Sequence, residues 1–333
     1  MAFFEVKELT MYYRTLRGQV KAVDGVSFAI EKGKALGIAG ESGCGKSSMA
    51  TTLLRLLPNN GQIMGGQVLM DGQSLLDMPE EQFRRRIRWK RISMIFQGAM
   101  NALNPVHRVG HQIMEAILTH EDVSPTEARR RAEDLLNMVG INPKRFDDFP
   151  HEFSGGMKQR VVIAMALACN PDLVIADEPT TALDVIVQAQ VLKAIDDLRQ
   201  RLGLSMIMIT HDLSVIAQMC DDVAIMYAGR IVEHGSAVDV YSQPLHPYTA
   251  GLVRAFPNIA AGRSTIRSIP GSPPNLIDPP TGCRFHPRCP LADGRCRAEE
   301  PAFQVVAGRH AVACHKADVL AGGVDIWQQR QLA

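Results

Sequence analysis

The sequence predicts an α/β protein whose core is a parallel β-sheet with a helix between successive strands. Two apolar runs that end in polar residues, PDLVIADEP and LSMIMITHD, predict buried strands. Between them, VQAQVLKAIDDLRQRLG has the apolar spacing of a helix that ends at Gly203. A third run, KALGIAG, predicts another buried strand. Because strand, helix and strand in succession form a parallel unit, we expect the functional groups at the carboxyl ends of these strands.

The regions flanking this core differ in composition. Short alternating runs, FFEVKELTMYY and AVDGVSFAI, predict a β-rich amino-terminal region. From about 98 to 152 the pattern becomes helical, with EAILTH and ARRRAEDLLNMVG bounded by prolines. After roughly residue 240, and above all from Gln243 to Pro301, prolines are frequent. That composition predicts a loop-rich appendage rather than a continuation of the sheet.

Length and charge limit the possible functions. A chain of 333 residues is long enough for one large domain and a smaller appendage. Its 36 Lys and Arg balance 35 Asp and Glu, so the net charge gives no reason to expect a nucleic-acid partner. The basic run RRRIRWKR, residues 84–91, is interrupted by Ile87 and Trp89 and is interpreted as a solvated helix face.

The cysteines are interpreted through the compartment that the sequence predicts. The amino terminus lacks the pattern of a secretory signal, and no apolar run reaches the ~18 residues needed to span a bilayer. The seven cysteines are therefore expected in a reducing cytosol, where clustered thiols hold metal or do redox chemistry more often than they form disulfides.

A phosphate-binding loop is predicted at GESGCGKS, residues 40–47, which follows a predicted strand and precedes a predicted helix. The loop glycines would turn backbone N–H groups towards phosphate oxygens at the helix amino terminus. Lys46 would reach the β and γ phosphates, and Ser47 would bind Mg²⁺. The predicted nucleotide-binding set of this segment is Gly40, Ser42, Gly43, Cys44, Gly45, Lys46, Ser47 and Ser48. A redox switch at Cys44 is the disfavoured alternative, since its side chain need not touch the nucleotide.

Two adjacent acids follow the strand LVIAD and complete the predicted catalytic chemistry. Asp177 would hold the water shell of the metal ion, and Glu178 would polarise a water that attacks the γ phosphate. A pair of solvated acids at a strand end is the alternative, but the Lys46 motif upstream disfavours it.

A second glycine turn, FSGGMKQR at residues 153–160, precedes another predicted helix. With this turn and the two motifs above, the chain resembles the ATPases of ABC transporters. In that family the turn, here Ser154, Gly155 and Gly156, faces the nucleotide of the other subunit. The resemblance implies an ABC-type P-loop core with an antiparallel β subdomain and a helical subdomain at about 98–160.

Further residues match marks of the same family. They imply that Tyr13 stacks on adenine, that Gln97 is a hinge near Mg²⁺ and the catalytic centre, and that Ala182, Leu183 and Asp184 follow the acids. His211 on its own suits a structural role, whereas its place after the second strand makes it a γ-phosphate contact. Two departures stand out: the signature has Met157 where Gln is commoner, and Gly98 stands where an acid is frequent.

The tail indicates the kind of ABC protein. HPYTAGL, residues 246–252, and GCRFHPRCP, residues 282–290, resemble the ATPase subunits of dipeptide and oligopeptide importers. Nickel or oligosaccharide import and a soluble regulatory ATPase are the alternatives. The resemblance implies an ATPase domain at 1–240 with an extension at 241–333. It also implies a second, related ATPase, two transmembrane permease subunits, an extracytoplasmic solute-binding protein and no nucleic acid. The expected location is the cytoplasmic face of the plasma (inner) membrane.

Four cysteines in the extension form a candidate metal site: Cys283, Cys289, Cys296 and Cys314. Successive members are farther apart than the roughly two to four residues usual in structural zinc knuckles. Spacing leaves a cluster, Zn²⁺ and unliganded thiols open, and three nearby histidines offer zinc other ligands: His286, His310 and His315. The family resemblance favours a 4Fe–4S cluster, because some peptide-importer ATPases with this tail carry one. Such a site would also order a proline-rich segment that has little core of its own.

Overall fold

The structure is a computed structural model that describes residues 2–98, 102–181, 183–255, 269–323 and 326–327. The strands are β1 Phe4–Thr15, β2 Gly18–Ile30, β3 Ala35–Ala39, β4 Gly61–Met70, β5 Gln73–Ser74, β6 Ile92–Ile95, β7 Leu173–Asp177, β8 Ser205–Ile209, β9 Asp222–Tyr227, β10 Arg230–Ser236, β11 Gln304–Ala307 and β12 His310–Val312.

The α-helices alternate with these strands over much of the chain. They are α1 Lys46–Leu53, α2 Glu80–Arg86, α3 Val109–His120, α4 Pro125–Met138, α5 Gly155–Ala166, α6 Val185–Leu202, α7 Leu213–Met219, α8 Ala237–Ser242, α9 Pro247–Ala255, α10 Gly294–Ala298 and α11 Ala317–Ala321. Short 3₁₀ helices occupy Pro143–Asp147 and Pro150–Glu152. Within the described ranges, none of these helices combines the length and apolarity that crossing a bilayer requires.

The chain divides into two compact units. The first comprises residues 1–4, 30–35 and 70–209, and the second comprises 5–29, 36–69 and 210–333. In the first unit β7 lies between β6 and β8 and runs parallel to both, with Ile175 opposite Met94 and Ile207. Every residue of β7 and β8 is buried, which explains their continuous apolar sequences. The predicted parallel core is confirmed here.

Helices of the first unit begin and end at the residues that local chemistry favours. Ser124 caps α4 by accepting a hydrogen bond from the backbone N–H of Glu127, and Pro125 occupies the first turn. The helix α6 ends at Gly203, whose φ of 63° is left-handed, as predicted. The helices α3, α4 and α5 pack on one another. The first two lie within 98–160, whereas α5 begins inside that range and ends at Ala166.

The second unit contains the amino-terminal strands. β1 and β2 are hydrogen-bonded neighbours joined by only two residues, so they form an antiparallel hairpin. β3 runs parallel to β9, and β10 returns antiparallel beside β9.

The extension was predicted not to continue the β-sheet, but part of it does. In the described part of 243–301 there is no strand, but after Pro301 the hairpin of β11 and β12 forms. β12 pairs antiparallel with β10, with Val312 opposite Glu233. The pairing depends on a β10 edge some 80 residues earlier, which the proline content of the extension could not indicate.

The extension also contributes to a shared core in the second unit. Tyr248 and Phe285 are 0% and 1% exposed and pack with Tyr227 of β9. A second contact is polar: buried Glu233 accepts hydrogen bonds from the backbone N–H groups of Leu245 and His246 and lies 2.7 Å from the ring Nε2 of His310. The segment therefore has buried partners that its composition did not predict.

Candidate nucleotide site

The phosphate loop connects β3 to α1 in the second unit, as predicted. Gly40 and Gly45 have φ of 153° and 110°. A Cβ at Gly45 would lie 2.0 Å from the carbonyl oxygen of Ala22, and one at Gly40 would lie 2.1 Å from that of Met226. Both positions therefore require glycine for space as well as for backbone conformation. Ser42, Gly43 and Ser47 are exposed on the loop, where a ligand could reach them.

Lys46 is the first residue of α1 and is 6% exposed. Its ammonium group donates to the carbonyl oxygens of Gly40 at 2.7 Å and Glu41 at 3.0 Å. Because α1 has no side-chain cap, its first N–H groups remain available to an anion at the helix amino terminus. The arrangement places a positive charge and backbone donors in one loop, which is the chemistry of phosphate binding.

Cys44 lies within this loop and is 2% exposed. Burial raises the pKa of its thiol, although Lys46 opposes the shift. Since the thiolate is the reactive form of cysteine, a raised pKa disfavours the redox-switch alternative.

Two further predicted site residues, Tyr13 and His211, belong to the second unit. The hydroxyl group of Tyr13 donates to that of Ser48 in α1 at 3.1 Å, which fixes the orientation of a half-buried aromatic ring. His211 is exposed and precedes α7, whose N-cap Asp212 accepts a hydrogen bond from the backbone N–H of Ser214.

The two acids lie in the first unit at the carboxyl end of β7. Asp177 is 2% exposed. Glu178 follows with a φ of 46°, a conformation that is uncommon for a residue with a Cβ and that recurs at functional sites. Its backbone N–H donates to the carbonyl oxygen of Ile209 at 2.8 Å. Gln97 donates to the Glu178 carboxylate at 2.9 Å and Thr181 does so at 3.0 Å, so both side chains orient it.

The second glycine turn also lies in the first unit. Ser154 caps α5 by accepting from the backbone N–H of Met157, and Ser154 and Gly155 are exposed. Gly156 contacts α6 closely, because a Cβ there would lie 2.3 Å from Cγ1 of Val187. Asp184 caps α6 by accepting from the backbone N–H of Val187, and Leu183 is half-buried before it. Ala182 lies outside the described residues.

The four cysteines of the extension line one cavity, together with His286 and His315. The backbone N–H of Cys283 donates to the carbonyl oxygen of Cys296 at 2.9 Å. Burial raises the pKa of Cys283, and it raises that of Cys314 to about 12. In the part of the chain that the structure describes, no three Cys, His, Asp or Glu side chains are grouped so that they could hold a metal ion. The fold thus brings the four cysteines to one cavity.

Sequence reasoning missed two residues that contact the phosphate loop. Tyr248 accepts a hydrogen bond through its hydroxyl oxygen from the backbone N–H of Glu41 at 2.7 Å, and Arg288 forms an ion pair with the Glu41 carboxylate. Both lie more than 200 positions from Glu41 in the chain. The tail motifs HPYT and FHPRCP contain them, but neither motif indicates which residue they meet.

Comparisons with known proteins agree with this geometry. Residues 23–181 match the ABC transporter family model, and residues 232–296 match the model of the oligopeptide/dipeptide transporter C-terminal region. The dimeric structure of an ATP-binding cassette bound to ADP and phosphate superposes with a TM-score of 0.62 at 27% identity, covering 70% of this chain and 98% of that one. The cassette cbiO1 from Clostridium perfringens gives a TM-score of 0.63 at 26% identity, covering 73% and 91%.

Curated relatives match nearly the whole chain. The oligopeptide transport ATP-binding protein OppD of Escherichia coli is 47% identical over 317 residues, covering 95% of this chain and 93% of the relative. The dipeptide transport ATP-binding protein DppD of the same species is 44% identical, covering 95% and 97%. A probable peptide ABC transporter ATP-binding protein of Sinorhizobium fredii is 47% identical, covering 94% and 95%. The chain therefore belongs to the family of ATP-binding proteins of oligopeptide and dipeptide ABC transporters.

Proposed function

We propose that this chain binds and hydrolyses MgATP and thereby powers the import of dipeptides or oligopeptides through a membrane transporter. The observation that carries the proposal is the phosphate loop, in which Lys46 and the amino terminus of α1 lie together. The peptide specificity is supported by the named relatives and by the match of residues 232–296 to the peptide-transporter C-terminal model.

The loop residues would bind the nucleotide. Backbone N–H groups of the loop glycines and of the first turn of α1 would hold the phosphates, Lys46 would neutralise charge on the β and γ phosphates, and Tyr13 would stack on adenine. Bound Mg²⁺ would supply further charge neutralisation. The hydroxyl of Ser47, the amide oxygen of Gln97 and the carboxylate of Asp177 are the hard oxygen donors that suit this ion, directly or through water.

Glu178 would act as the general base. Its carboxylate accepts the proton of the attacking water, while the amide nitrogen of Gln97 keeps that carboxylate oriented at 2.9 Å. His211 contacts the γ phosphate in this assignment. The reaction is phosphoryl transfer to water, so positioning and charge stabilisation supply most of the rate.

A second, related ATPase subunit would complete the site. The turn at the start of α5, formed by Ser154, Gly155 and Gly156, would contact the nucleotide of the partner. Asp184 is a further proposed nucleotide-binding residue. Exposure supports this arrangement: Ser154 and Gly155 face solvent, and beside Asp184 the apolar Val185 and Ile186 are 82% and 71% exposed. Two permease subunits and an extracytoplasmic solute-binding protein would form the rest of the transporter, with this chain peripheral on the cytoplasmic face of the membrane.

The ATPase and the part specific to peptide importers would occupy separate segments of the chain. Residues 1–240 form the ATPase domain in this proposal, and the helical part at about 98–160 transmits movement from the hinge Gln97 to the membrane subunits. Residues 241–333 form the peptide-importer extension.

We further propose that the extension carries a 4Fe–4S cluster held by Cys283, Cys289, Cys296 and Cys314. The donor set fits, because thiolates are the usual cluster ligands and all four cysteines line one cavity. The cluster would supply a structural staple for this segment. A single zinc ion bound by these cysteines or by the nearby histidines is the alternative.

The cluster proposal is tested by anaerobic purification followed by iron, zinc and acid-labile sulfide assays. We expect about four iron and four sulfide per chain, lost in Cys289→Ser but kept in the control Cys220→Ser, whose cysteine does not line the cavity. Stoichiometric zinc without sulfide would replace the cluster, and absence of all three would refute any metal at this site.

The function is tested in the complex copurified from membranes and reconstituted into vesicles. We expect MgATP hydrolysis and ATP-dependent peptide uptake, both abolished by Lys46→Ala and retained by Lys193→Ala, a change at an exposed lysine. A purified chain that hydrolyses ATP at full rate as a monomer, with no membrane subunits copurifying, would contradict the importer assignment.

A further inference from the structure

One residue of the phosphate loop, Glu41, is held by the C-terminal extension from two sides. Nη1 and Nη2 of Arg288 lie 2.6 and 2.8 Å from the two carboxylate oxygens of Glu41, a bidentate ion pair across 247 positions of sequence. The Tyr248 hydroxyl accepts from the backbone N–H of Glu41 at 2.7 Å. We propose that Arg288 is a positioning residue for the phosphate loop, through which the extension sets nucleotide affinity. The inference rests on the proposed nucleotide binding by this loop.

The guanidinium group of Arg288 is itself fixed in place. Arg288 is 5% exposed, and its Nε donates to the carbonyl oxygen of Pro270 at 2.9 Å. The group also lies 5.8 Å from the ring centres of both Tyr227 and Phe285. A planar guanidinium fork held this way matches a carboxylate in one orientation only, so it restrains the rotation of the Glu41 side chain.

Glu41 transmits this restraint to the catalytic lysine. Its carbonyl oxygen accepts from the Lys46 ammonium group at 3.0 Å, so the side chain, N–H and C=O of one residue contact Arg288, Tyr248 and Lys46 respectively. A phosphate loop binds its anion well when its donors are already aligned, because alignment during binding would cost affinity. Loss of the ion pair would also leave Glu41, whose side chain is 26% exposed, without this charged partner.

The same contacts join the cysteine cavity to the loop. Cys289 follows Arg288 directly in the chain, and Cys283 and Cys289 pack on the core cluster that contains Tyr248 and Phe285. Any change that reorders residues 283–289 therefore displaces Arg288 and, through it, Glu41. The extension lies more than 200 positions from the loop in sequence, but the fold puts it in contact with the loop.

The test measures nucleotide affinity in the assembled transporter with a fluorescent ATP analogue, together with KM and kcat for ATP. We expect Arg288→Gln to weaken binding and raise KM roughly tenfold, as loss of a charge-assisted bidentate contact would do, with kcat nearly unchanged. The matched control is Arg295→Gln, in the same extension, where the side chain is 63% exposed and paired with Glu299. It should bind as the wild type does.

A double-mutant cycle separates positioning from a general loss of structure. Glu41→Gln should weaken binding as much as Arg288→Gln, and the double variant should be no weaker than either one. Additive losses, or wild-type affinity in a folded Arg288→Gln chain, would overturn the proposal. If Arg288→Gln does not fold, the single Glu41→Gln variant decides by the same criterion, because wild-type affinity there also overturns it. A wild-type complex that binds no analogue would instead refute the nucleotide-binding function itself.

Discussion

The side-chain amide of Gln97 lies 2.9 Å from a carboxylate oxygen of Glu178, although the two residues are 81 positions apart. Thr181 donates to the same oxygen at 3.0 Å. A general base works best when its carboxylate is held in the orientation that accepts a proton from the attacking water. The contact also links Gln97, which precedes the helical region, to the predicted catalytic carboxylate. A movement of Gln97 would therefore also move the Glu178 carboxylate.

Replacing the predicted base should separate binding from turnover. Glu178→Gln keeps the shape of the side chain but removes its basicity, so we expect ATP binding to persist while hydrolysis in the assembled complex falls by roughly 100-fold or more. Equilibrium nucleotide binding and phosphate release measure the two quantities. Glu133→Gln, at a solvent-accessible ion pair on α4, serves as the control. Wild-type turnover in the Glu178 variant would rule out its role as base.

Removing the amide that orients Glu178 should have a smaller effect than removing the carboxylate. We expect Gln97→Ala to lower kcat roughly tenfold, the order expected for one hydrogen bond to a charged group, and to raise KM for MgATP because a proposed Mg²⁺ donor is lost. Steady-state kinetics of the reconstituted complex give both values. If Gln97→Ala and Glu178→Gln together lose no more than Glu178→Gln alone, the amide acts through the carboxylate. A fully additive loss would show that Gln97 acts independently of it.

The glycine at the third position of the second turn should tolerate no side chain. A Cβ at Gly156 would meet Val187 Cγ1 at 2.3 Å, so Gly156→Ala forces α5 and α6 apart. We expect a loss of about 1–3 kcal/mol in the free energy of unfolding and a thermal unfolding midpoint lower by several degrees. Gly294→Ala is the matched control, because nothing lies within 4 Å of a Cβ there. Equal midpoints for the two variants would contradict the packing described here.

A buried histidine should make stability depend on pH. Burial lowers the pKa of His246 from 6.5 to about 3, and its Nδ1 accepts from the backbone N–H of Tyr248. Between those values the unfolded chain binds a proton that the folded chain excludes. The contribution is therefore fully present above about pH 6.5 and decreases as pH falls towards 3, by ~1.4 kcal/mol per pH unit.

Denaturant unfolding at pH 7.5 and pH 5 tests this dependence. His246→Asn can still accept the hydrogen bond but cannot take up a proton, so its stability should fall less between the two pH values than that of the wild type. His107→Asn, at an exposed histidine, should behave as the wild type does. The same pH dependence in all three proteins would show that His246 does not titrate as proposed.

Local sequence was enough to predict much of the core and the candidate catalytic residues. The strands β7 and β8, the helix between them and its end at Gly203 follow from apolar spacing and a left-handed terminus, both of which are properties of neighbouring residues. The phosphate loop was equally predictable, because its glycines, lysine and serine are consecutive and their chemistry depends on backbone geometry within the same eight positions.

Contacts between residues distant in sequence decided the features of the extension that no local pattern predicted. The edge of β10 accepts β12, four cysteines between positions 283 and 314 line one cavity, and Arg288 and Tyr248 converge on Glu41. A proline-rich segment gives no periodic signal, and its buried aromatic residues and charges have partners in elements that are distant in sequence. Such pairings depend on proximity in space and on burial, so residues more than 200 positions from the loop in sequence can contact it, and no local pattern shows which ones do.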